Sequence, residues 1–161
     1  MRPGPDATAP RRPPIAIEPT DPDDGDACAL LNAHARDMAQ RYPGGSWAGV
    51  GGPKDRLWLA RDEGGSAVGC VALRVLAPHL VEVKHLYVAP DARRRGVAGA
   101  LMDTLEAEAA RRRAAIILET GIRQPEAIAL YRARGYGDRA RYPQADADAH
   151  HSVYLGRDAA P

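Results

Sequence analysis

The stretch Val88–Met102, VAPDARRRGVAGALM, decides how the rest of the chain is read. Before it runs LVEVKHLYV, Leu80–Val88, an apolar strand stopped by Pro90, which has no amide to give a ladder. After it, Val97, Leu101, Leu105 and Ala109 recur on one face of a helix from about Gly96 to Arg113. Then comes AAIILET, Ala114–Thr120, continuously apolar and rich in β-branched residues, the pattern of a strand covered on both faces. Strand, tight turn, helix and strand make a crossover unit, which sets its two strands parallel.

The flanks extend this unit. IAIEP (Ile15–Pro19) reads as a first strand and Asp21–Tyr42 as a helix. Asp24 or Asp26 can cap that helix, and Ala27, Leu30, Leu31, His34 and Met38 fall near a helical period. Tyr42–Asp55, with five glycines and two prolines, is a loop. RLWLARD and SAVGCVALRVL are strands joined by a turn at EGG. Pro125–Arg134 is a short helix with proline in its first turn and Gly135 at its stop. RARY (Arg139–Tyr142) and HSVYLGR (His151–Arg157) read as closing strands. The fold class is therefore α/β, a mixed central sheet of about six to seven strands with helices on both faces. Met1–Pro14 reads as a disordered tail and residues 15–158 as a single domain.

With 161 residues the chain is long enough to bury a core without staples, and its net charge of +1 is far from that of a general nucleic-acid binder. No apolar run reaches membrane-spanning length and no signal-peptide core opens the chain, so a cytoplasmic protein with no membrane partner is expected. Cys28 and Cys70 make neither a disulfide framework nor a metal pair. Asp146–His151, DADAHH, has metal-ligating residue types at a spacing that matches no known site, so it is read as solvated loop and no metal is expected.

Twenty arginines stand beside two lysines, and three of those arginines, Arg93, Arg94 and Arg95, crowd the strand-to-helix corner. Two readings compete there. The first four amides of a helix lack internal acceptors and carry the positive end of its dipole, which suits an anion. Gly96 leaves backbone open to approach, and Ala98 and Gly99 keep the next turn slim. Alternatively the corner is simply solvated. It is neither a Walker loop nor a dinucleotide fingerprint.

Arg93-x-x-Gly96-x-Ala98 resembles the Q/R-x-x-G-x-G/A signature of the GCN5-related N-acetyltransferase (GNAT) superfamily. The context resembles it too. LYVAP precedes the motif, and LETGIRQPEAIALYRARGY (Leu118–Tyr136) follows, with its tyrosine in an LY…GY frame. The likeness runs from about Trp58 to Tyr136. It implies that the strands flanking the motif splay and that acetyl-CoA lies in the gap as acyl donor. Its pantetheine arm would pair with main-chain groups of Leu86, Tyr87 and Val88, a form of strand addition. The Leu86 amide would serve as oxyanion donor. The pyrophosphate would sit on the amides of Arg94, Arg95, Gly96, Val97, Ala98 and Gly99, with Arg93 and Arg94 as side-chain helpers. Gln124 stands where the family often has Asn; it would touch the pantetheine or cap the short helix.

The resemblance also assigns Tyr131 as the acid that protonates the departing thiolate; as a bare residue it equally suits a core aromatic. Glu82 resembles a family base, and Glu119 stands where another branch places its own. We favour Glu82. A salt bridge to Lys84, His85 or Arg123 is the plain alternative for either carboxylate. Neither cysteine lies in these motifs, so direct attack of an amine in a ternary complex is expected. The partner would be a small-molecule or peptide amine, with no nucleic acid, and a homodimer is compatible. Competing classes are a non-catalytic acyl-CoA sensor on the same scaffold and an arginine-driven nucleic-acid binder. Retention of Tyr131 and Glu82 argues against the first, and balanced charge argues against the second. The first helix, the Gly-rich loop and the RYPQADADAHH segment would bind the acceptor, with Trp47 and His79 as candidate lining.

Overall fold

The computed structural model describes residues 14–45, 55–145 and 151–159. The elements run β1 (Ala16–Thr20), α1 (Gly25–Arg41), β2 (Arg56–Arg61), β3 (Ala67–Ala77), β4 (Leu80–Val88), α2 (Val97–Arg111), β5 (Ala115–Gly121), α3 (Pro125–Ala133), β6 (Gly137–Asp138) and β7 (Ser152–Arg157). This is the order read from the sequence. The seven strands form one mixed sheet ordered β1-β2-β3-β4-β5-β7-β6. β1 to β4 form an antiparallel run, β4 and β5 are parallel, and β7 returns antiparallel to β5.

Local chemistry sets the element ends. Asp24 caps α1 by accepting from the amides of Asp26 and Ala27, and α1 buries Ala27, Leu30 and Met38. The β2–β3 hairpin turns at Gly65, whose φ of 82° is left-handed. Alternation along the strands divides the core. Trp58, Val71, Leu73, Val81, Val83, Ile116 and Leu118 face α2, with its Val97, Leu101, Met102 and Leu105, and α3, with its Tyr131. Leu57, Leu59, Cys70, Ala72 and Tyr87 face α1 on the other side. The β4–α2–β5 crossover therefore puts the start of α2 beside the end of β4, where the sheet has a helix on either face.

One closing strand differs from expectation. Arg139–Tyr142 is not a strand; β6 has only two residues, Gly137 and Asp138. The Arg139 amide still reaches the Tyr154 carbonyl (2.9 Å). Pro143 then follows, and the Tyr142 side chain turns to the sheet face to reach Glu82. The N-terminal tail, most of the Gly-rich loop with Trp47, and most of DADAHH lie outside the described residues. Among the described residues no helix is long and apolar enough to cross a membrane.

Candidate active site

β4 and β5 pair only from Leu80↔Ala115 to Val83↔Leu118. Beyond that point each strand continues without the other, to Val88 and Gly121. The sheet is split there. A cause lies in β4 itself: His85 has φ 53°, and the β3–β4 register shifts across it, between Cys70↔Tyr87 and Ala72↔Lys84. An extra residue on one strand bends it away from its neighbour.

Main-chain directions in the split follow from the ladder. The Ala89 amide donates to the Val68 carbonyl (2.9 Å), and Val88 stands opposite Gly69. A residue next to a bonded antiparallel pair points its own amide and carbonyl the other way. Those of Val88 therefore face the split, and by alternation so do those of Leu86. The main-chain groups of Tyr87 turn toward β3, and its ring packs on the α1 face.

The motif turn ends at the mouth of this split. A one-turn helix, Pro90–Ala92, is followed by Arg94 at φ 60° and Gly96 at φ 85°, the N-cap of α2. No side chain caps α2, and its first turn holds no acidic residue. The leading amides of a fifteen-residue helix are thus left to an outside acceptor. Arg94, Arg95 and Gly96 are exposed, Val97 is buried in the core, and Ala98 and Gly99 are half-buried. Arg93 behaves differently. Its Nε donates to the Val88 carbonyl (3.0 Å), its guanidinium lies over the Tyr87 ring (5.9 Å), and it pairs with Asp37 of α1 (3.5 Å).

The expected acid and bases sit in different settings, and Glu82 lies within the paired part of β4 and β5, opposite Ile117. Tyr131 is buried on α3, its ring 5.7 Å from that of Tyr136, and burial alone pushes its phenol well above the usual range. Glu82 is wholly buried on the α1 face of β4. Its Oε1 accepts from the Tyr142 hydroxyl (2.6 Å), and Lys84 (3.8 Å) and Arg74 (3.6 Å) flank the carboxylate. Those two cations and the hydrogen bond offset the cost of burying its charge. Glu119 is half-buried one residue past the last β4–β5 pair and accepts from the Ser152 hydroxyl (2.5 Å). Gln124 sits at the N-cap of α3, and its side chain makes no capping hydrogen bond. His79 lies in the turn before β4, at the end of the strand away from the split, so it does not line the acceptor side.

The end of α1 crosses the open jaws, which local sequence patterns did not show. Arg41 donates to the Arg123 carbonyl (3.0 Å) and pairs with Glu126 on α3 (2.6 Å). The Tyr42 hydroxyl accepts from the Arg123 amide (2.8 Å), and a Cβ on Gly121 would collide with its ring. His34 packs on Tyr87 (5.5 Å) and His85 (5.8 Å). Burial, aided by Arg41 and Lys84 and opposed by Asp37, lowers the His34 pKa to about 4. A histidine depressed in the fold adds stability that is full above its unfolded pKa, about 6.5, and drains as pH falls toward the folded value. Thermal stability is therefore expected to fall between pH 6.5 and 4, by up to about 3 kcal/mol from this group. Melting curves of His34→Gln should show a flatter decline over that window; an unchanged slope contradicts the assignment.

A split strand pair with an uncapped helix start at its mouth defines a class, and comparison with known proteins agrees. The sequence profile of the Acetyltransferase (GNAT) family matches residues 26–136. The chain belongs to that family. It is 38% identical over 92 residues to an IAA acetyltransferase of Azospirillum brasilense, a match covering 56% of this chain and 60% of that protein. A Klebsiella pneumoniae structure assigned as an acyl-CoA N-acyltransferase superposes with TM-score 0.75 at 30% identity, over 89% of this chain and 96% of the other. A GNAT acetyltransferase from Elizabethkingia anophelis, solved with acetyl-CoA bound, superposes with TM-score 0.66 at 18% identity, over 89% and 97% of the two chains.

Proposed function

We propose that the protein is an N-acetyltransferase that moves the acetyl group of acetyl-CoA to a primary amine by direct attack in a ternary complex. The observation that carries this is the split itself, with the uncapped start of α2 at its mouth. The residues present fit acetyl-CoA. The amides from Arg94 to Gly99 offer an anion cradle of pyrophosphate chemistry, with Arg94 and Arg95 at its rim. Leu86 and Val88 offer main-chain groups along a slot, and Gln124, unused as a cap, stands at its far side. The thioester supplies an activated acyl carbon; the chain holds it and manages protons. The Azospirillum relative bears the name of an acetyltransferase, which supports acetyl as the group moved.

An ammonium ion has no lone pair, so a proton must leave before attack. Glu82 takes it, through water, and Arg74, Lys84 and Tyr142 hold that carboxylate in place. The bond between nitrogen and acyl carbon forms as the carbon–sulfur bond breaks. The Leu86 amide faces the charge that develops on the carbonyl oxygen. Tyr131 donates to the departing sulfur, and the second proton, shed by the nitrogen as the amide forms, restores the phenol. Its raised pKa keeps the phenol protonated throughout the neutral range, so the donor is always ready.

Glu119 supports a second assignment of the base, because it is more exposed than Glu82 and lies past the point where the strands part. Thiol release from acetyl-CoA over a panel of amines, amino acids and peptides tests the activity, and Glu82→Gln against Glu119→Gln tests the base. We expect amine-dependent release, lowered about a hundredfold in Glu82→Gln and less than about tenfold in Glu119→Gln. The opposite ranking moves the base to Glu119. Acetyl-CoA binding without any amine-dependent release would leave a sensor.

A further inference from the structure

We propose that Asp37 is a positioning residue that braces the two arms of the split; this rests on the reading that acetyl-CoA enters there. Past Val83 and Leu118 no ladder bond ties β4 to β5, so their separation is set by whatever touches both. The last turn of α1 does. One oxygen of Asp37 faces Arg93 (3.5 Å) and the other faces Arg41 (3.3 Å). Arg93 holds the β4 arm through the Val88 carbonyl (3.0 Å). Arg41 holds the turn that leaves β5 through the Arg123 carbonyl (3.0 Å) and the first turn of α3 through Glu126 (2.6 Å). The result is an alternating chain, Arg93–Asp37–Arg41–Glu126, strung across the mouth of the slot.

Asp37 is the one member that faces a cation from each side. Without its charge, Arg93 and Arg41 would confront each other as like charges, and α1 would lose its grip on both arms. Asp37 and Arg41 side chains are 24% and 22% exposed, so solvent screens the chain only in part. Pairs of this kind add little to global stability. Their effect falls on the width of the slot, and hence on what fits in it.

The test is calorimetric titration of acetyl-CoA into wild type, Asp37→Asn, Asp37→Glu, Glu126→Gln and the Asp37→Asn/Glu126→Gln double variant, with melting temperatures alongside. Asp37→Asn should bind about tenfold more weakly and Asp37→Glu should recover part of that loss. Melting temperatures should stay within about 2 °C of wild type. The double variant should lose less than the product of the single losses, because both act through Arg41. Wild-type affinity in Asp37→Asn, or losses that multiply, would overturn the brace. A wild type that takes up no acetyl-CoA would instead overturn the functional reading beneath it.

Discussion

Gly96→Glu is expected to weaken acetyl-CoA binding at least a hundredfold, roughly 2.7 kcal/mol or more, by calorimetry. Gly96 is the N-cap of α2 at φ 85°, where a side chain costs about 1–2 kcal/mol in strain. The larger effect is electrostatic. A carboxylate placed at the uncapped helix start would answer the same amides and the same dipole that the pyrophosphate needs. That interaction favours the helix, so it offsets part of the strain and the fold should survive. Gly96→Asn separates the two effects, since Asn tolerates the left-handed region and carries no charge. It should retain binding within about tenfold of wild type. Unimpaired binding by Gly96→Glu would mean that the cradle is elsewhere.

Tyr131→Phe is expected to cut turnover about a hundredfold and to leave acetyl-CoA affinity within about twofold. Burial raises its pKa, and among the described residues no hydrogen bond to the hydroxyl contributes, so removing it deprives none of them of a partner. The ring stays in the core against Tyr136. A stability loss is therefore not expected, and a fall in turnover reports the hydroxyl itself. Burial cuts two ways here. It keeps the phenol protonated, yet a phenol that holds its proton so tightly transfers it to a thiolate only as charge builds on sulfur in the same dry site. Unchanged turnover would reduce Tyr131 to a core aromatic.

Much of the fold was legible because it rests on local patterns. The run from Leu80 to Val88, Pro90, and the helical recurrence of Val97, Leu101 and Leu105 each declare their element within a few residues. Nine of the ten expected elements follow in order, and the strand expected at Arg139–Tyr142 gives way to the two-residue β6 just before it. RARY misled because a short, partly apolar run looks like a strand, whereas a tertiary contact, Tyr142 on Glu82 across sixty positions, decides its path. The site divides the same way. Gly96 and Tyr131 sit in compact motifs. The role of Arg93 does not, because three contacts set it: the Val88 carbonyl, the Tyr87 ring and Asp37, the last of them fifty-six positions away in α1. His85 shows the limit most clearly. Its left-handed backbone and the register shift beside it mark where the split opens, and no periodicity signals a bulge at a non-glycine residue.

We propose that the split between β4 and β5 is the acetyl-CoA slot. A crystal structure with acetyl-CoA bound is the decisive test. The pyrophosphate is expected on the amides between Arg94 and Gly99, the pantetheine paired with Leu86 and Val88, and the sulfur beside the Tyr131 hydroxyl. Acetyl-CoA bound away from the split, or in it with its pyrophosphate remote from Gly96, would contradict it.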